Sequence, residues 1–97
     1  DPLTYVRSNG KTYYAAADNT YAQDMIKFVR DFDALSAAEA SGSDLSGVQL
    51  SVIALADYQD GTKKALLAKQ YAYQKQRLEN LPVYNTTATL VSDLLNH

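Results

Sequence analysis

The chain has 97 residues, of which 46% are apolar and 21% charged, with no cysteine and a net charge of −2. That length suits one domain over residues 1–97 with a single core, and the balance lies outside the low-hydrophobicity, high-charge regime of disorder. The missing thiols exclude disulfides, thiolate metal sites and thiol catalysis, and the acidic balance argues against a nucleic-acid partner.

Residues 1–18 form an N-terminal arm in which Asn9-Gly10 separates two β-prone stretches. Asn-Gly accommodates the positive φ angles of a two-residue hairpin turn, so the arm is either a short β-hairpin or an irregular segment lying on helices.

Residues 19–97 read as helices. Thr20 and Gln23 have the spacing of a capping box, which starts a helix over Tyr21–Ala40. Its apolar stripe is Tyr21, Met25, Phe28, Phe32 and Leu35, widened by Ile26 and Val29. Asp24, Lys27 and Asp31, and Arg30 with Asp33, sit at spacings that pair charges on an exposed face.

Turn formers crowd Ser41 to Gly47, and Ser46 with Gln49 offers a second capping box. Leu45, Val48, Val52, Leu55 and Tyr58 keep helical spacing, so a helix is expected over Leu45–Tyr58 despite its β-branched residues. Asp60-Gly61 is read as a break, in preference to one helix from Leu45 to Asn80.

Lys63–Asn80 is rich in good helix formers and ends before Pro82, because the residue preceding proline is pushed out of helical geometry. Asn85-Thr86-Thr87 then caps a short helix over Thr87–Asn96, with Leu90, Val91, Leu94 and Leu95 on one face. The expected fold is mainly α, a three- or four-helix bundle with a short N-terminal arm or β-hairpin.

No run of the roughly 18–20 apolar residues needed to cross a bilayer is present. The chain opens at Asp1-Pro2 without Met, as a processed mature form or an excised piece would. Residues 1–60 hold nine acids and four bases, residues 61–97 five bases and two acids, so an acidic first half precedes a basic second half.

Little chemistry is encoded. The single histidine is the terminal His97, which removes the usual nucleophile–base pairs and most metal sites, and no metal or cofactor is expected. Asp31 and Asp33 diverge around a helix. The segment from Asp57 to Gly61 lacks the ligand pattern of a calcium loop, and the four glycines are too scattered to cradle phosphate.

Eight tyrosines remain to be placed. Tyrosine offers large area and a hydrogen-bonding tip at modest entropic cost, which suits binding surfaces as well as the rim of a small core. Tyr71 and Tyr73 cannot both face inward on one helix, and with Lys69, Lys75 and Arg77 they form a basic, aromatic segment.

That segment makes a non-enzymatic protein-interaction domain, of an exported or cell-surface protein, the leading expectation. The alternatives are a small-ligand-binding or catalytic bundle built on Asp57 and Tyr58, and a structural or self-assembling module.

Overall fold

The computed structural model describes residues 3–81. The expected helix Thr87–Asn96 lies outside the described residues. Those described are mostly helical behind an antiparallel hairpin.

The hairpin pairs β1 (Leu3–Val6) with β2 (Thr12–Ala15), Leu3 opposite Ala15 and Val6 opposite Thr12. Its turn is longer than the two-residue form expected. Arg7 N–H donates to Lys11 O and Gly10 N–H to Arg7 O, both at 2.8 Å, which leaves Ser8, Asn9 and Gly10 as the loop. Gly10 takes the positive φ (84°) that closes such a three-residue loop. Alternation along β2 buries Tyr13 and Ala15 and exposes Tyr14.

α1 spans Thr20–Ala40. Its cap is Asn19, whose side chain accepts from Ala22 N–H, while Gln23 instead donates to Ala16 O at 2.9 Å. Thr20 is thus the first helical residue and not the cap. Asparagine precedes it with a side chain that reaches the same orphan donors. At the other end Gly42 (φ 72°) donates to Glu39 O and Ser43 to Ala38 O, the paired bonds of a Schellman motif.

The expected helix Leu45–Tyr58 does not form. A 3-10 turn at Leu45–Gly47, with Asp44 rather than Ser46 as its cap, is followed by non-helical chain to Ala54 and a five-residue α2 (Leu55–Gln59). The reason lies twenty residues upstream. Asp31 is buried, and its carboxylate accepts the amides of Ser51 (2.9 and 3.0 Å), Val52 (2.7 Å) and Ile53 (2.9 Å). Three consecutive N–H groups converging on one anion cannot also serve a helix running through them, and charge-assisted bonds outweigh modest helix propensity.

α3 (Gly61–Asn80) starts where Asp60 breaks the chain, Asp60 being an N-cap whose Oδ1 accepts from Thr62 and Lys63 N–H. Asp60 is therefore unavailable as an i,i+4 partner of Lys64, which reaches Glu39 of α1 instead, 3.0 Å from both carboxylate oxygens. Contacts of Glu39 with Lys64, Asp33 with Tyr71 and Tyr21 with Arg77 run in opposite order along the two helices, so α1 and α3 are antiparallel.

The core has two halves along α1. Ala22, Ile26 and Val29 pack with Tyr13 and Ala15 of the hairpin and with Leu78. Phe28 and Leu35 pack with Ile53 and Tyr58, with Phe32, Leu67 and Tyr71 at the margin. The charge pairs expected within α1 are replaced: Arg30 donates to Thr4 of β1, and Asp31 holds the loop. The ion pairs among the described residues are Glu39–Lys64 and Asp57–Lys63.

Candidate functional site

Helical spacing divides the basic, aromatic segment of α3 into two sets. Tyr71 and Lys75, four apart, share one face, while Lys69, Tyr73 and Arg77, at successive steps of four, share another roughly opposite. The structure brings together members within each set and not the five as a group.

The first set faces α1. Tyr71 stacks on Phe32 with ring centres 4.5 Å apart, its hydroxyl donates to Asp33, and Lys75 Nζ approaches that hydroxyl at 3.3 Å. Burial and the bond to Asp33 push the Tyr71 phenol above its usual range, while its bond to Tyr71 raises Lys75. Both shifts lead away from neutrality, so neither group is poised for proton transfer near pH 7.

Beside it the hairpin is fastened to α3. Glu79 accepts Ser8 N–H at 2.8 Å and lies against the Tyr5 hydroxyl, and Arg7 donates to Leu81 O with its guanidinium 5.0 Å from the centre of the Tyr13 ring. Burial drives the Glu79 carboxyl upward, but the Ser8 and Tyr5 hydrogen bonds and the Arg7 charge outweigh it, leaving a net lowering. Burial and the adjacent carboxylate raise Tyr5 well above the usual phenol range.

The second set faces solvent. Tyr73 is 57% exposed, and Tyr21, from the first turn of α1, is 56% exposed. The Arg77 guanidinium carbon lies 5.9 Å from the centre of each ring. Among the described residues Arg77 forms no ion pair. Tyr73 and Arg77, with Gln76, Asn80 and Leu81, line a shallow depression of about 350 Å³.

Sequence reasoning missed Tyr21 as a member of this cluster. It falls on the apolar stripe of α1, but it is the first-turn member of that stripe and is 56% exposed, against Arg77 of α3. Its place in the first turn and its polar tip are the only local signals of that position.

The alternative pair does not converge. Tyr58 is 2% exposed, forms an edge contact with Phe32 at 5.6 Å and has Ser36 and Glu39 near its hydroxyl. Asp57 points outward to Lys63 at 3.6 Å.

No helix among the described residues is long and apolar enough to cross a membrane, and no three His, Cys, Asp or Glu side chains among them could together hold a metal ion. No protein-family model matches the chain, and neither a curated protein nor a solved structure matches it.

Proposed function

We propose that the chain is a non-enzymatic protein-binding domain whose contact surface is the outer face of α3, built on Lys69, Tyr73 and Arg77 and extended by Tyr21 of α1. A three- or four-helix bundle is the architecture this reading assumes.

One observation carries it. The Arg77 guanidinium lies beside two exposed tyrosines with no carboxylate bound to it among the described residues. Tyr and Arg are the residue types that dominate binding energy at protein interfaces. Tyr71 and Lys75 contribute by fixing the rotation of α3, through Phe32 and Asp33, so that this face points outward.

The test is affinity capture from the source organism with lysine cross-linking mass spectrometry. The reading expects a reproducible protein partner cross-linked at Lys69, and loss of capture when Tyr73→Ala is combined with Arg77→Ala. Capture unaffected by that double change would remove the site assignment.

A further inference from the structure

A groove of about 500 Å³ runs between α1 and α3 beside the Tyr21–Arg77 contact. Its apolar part is formed by Met25 and Phe28 of α1, Leu67 of α3 and the half-exposed Val52 of the loop latched by Asp31. Gln74 and Tyr21 line the other end, and Arg77, three residues beyond Gln74 on α3, lies just outside the groove with its guanidinium carbon 5.9 Å from the centre of the Tyr21 ring. The Gln74 Oε1 atom is shielded from solvent and has no hydrogen-bond partner.

We infer that this groove is the docking site for a linear peptide segment of a partner protein, one that presents an apolar side chain followed at one end by a carboxylate; the inference rests on the interaction reading above.

The chemistry of each wall specifies the occupant. Val52, Leu67 and Phe28 offer an apolar recess that a peptide side chain fills and a soluble anion does not. Arg77 supplies an uncommitted bidentate donor for a carboxylate. Asp24, also on the groove wall, repels an acid placed over its middle, which fixes the acidic end of the ligand at Arg77. The orphan Gln74 carbonyl gains a partner when its amide turns to meet a peptide N–H, and an unmade hydrogen bond of this kind favours any ligand that supplies the donor.

The experiment selects a phage-displayed library of random twelve-residue peptides on the immobilised full chain. A photo-cross-linking amino acid at Gln70, an exposed residue on the groove wall, locates the bound peptide. Enriched peptides are expected to share an apolar residue with Asp or Glu a few positions away, and to label at Gln70. Arg77→Glu should weaken them by about tenfold or more. Replacing the peptide acid with Lys should restore binding to Arg77→Glu, whereas Lys11→Glu on the hairpin should change nothing.

Enrichment that ignores charge, or peptides that bind without labelling Gln70, overturns the proposal. So does a Gln70 photoproduct formed without peptide, either with residues 82–97 of the same chain or with a second copy. Tyr73 does not line this groove, so dependence of the native partner on Tyr73 tests the outer-face reading separately, and failure here leaves that reading standing.

Discussion

Asp31 Oδ2 accepts the amide of Val52 at 2.7 Å, and with the flanking amides of Ser51 and Ile53 this single buried carboxylate determines the path of the chain between α1 and α2. Removing it strands three donors beneath the loop. Asp31→Ala should destabilise the fold by on the order of 3 kcal/mol in urea titration, with a smaller loss for Asp31→Asn, which keeps one acceptor oxygen. Amide exchange at Ser51, Val52 and Ile53 should accelerate before any change in α3.

Tyr71 separates a structural from a binding role. Tyr71→Phe keeps the stack on Phe32 and loses only the bond to Asp33, so it should cost about 1 kcal/mol by thermal or chemical denaturation. Tyr71→Ala also removes the stacked ring and should cost about 3 kcal/mol. Partner binding by the Phe variant should match the parent, since the hydroxyl faces α1.

Stability should fall at both ends of the pH scale, for opposite reasons. Tyr5 and Tyr71 hold their protons more tightly when folded than at the unfolded value of 10.0. Their contribution is complete below that value and is lost as pH rises through the higher folded values. Glu79 is lowered from 4.5, so its contribution is present above that value and disappears as pH falls through the folded one. Phenolate absorbance followed alongside circular dichroism should show part of the tyrosine ionisation appearing only as the helices melt. In acid, the amides of the hairpin should lose exchange protection before those in the middle of α1.

Asp60 closes α2 through its backbone N–H, which donates to Asp57 O, and caps α3 with its side chain. Asp60→Ala should therefore cost about 1 kcal/mol, against a few tenths for Asp60→Ser, which retains an oxygen in capping position. The difference can be read by urea titration of the two variants side by side.

The elements legible in the sequence are those whose signals are local. The stripe from Met25 to Leu35, the break at Asp60-Gly61 and the turn glycine of the hairpin all act within a few residues of where they are read. Leu45–Tyr58 has helical spacing, but the deciding interaction comes from Asp31 across the fold, and no window of neighbours contains it. The turn of the hairpin came out one residue longer because Arg7 pairs with Lys11, a register that the Asn9-Gly10 signal alone does not distinguish.

The candidate site divides in the same way. Opposite orientations for Tyr71 and Tyr73 follow from helical geometry alone and match the half-buried and exposed positions found. That Lys75 belongs with Tyr71 follows from the same four-residue spacing, whereas that Tyr21 joins Arg77 depends on how α1 and α3 align, in the antiparallel register marked by Glu39 and Lys64.

Tyr73 and Arg77 are the most direct test of the account, because both project from the fold and their loss should leave it intact. Tyr73→Ala with Arg77→Ala should change unfolding free energy by no more than about 0.5 kcal/mol. The measurement is quantitative capture of the cross-linked partner by this double variant, with stability monitored on the same sample. Loss of capture with stability retained is the predicted result. Full capture by a folded double variant, with cross-links at Lys11 or Lys27 in place of Lys69, would contradict the claim that the outer face of α3 binds the partner.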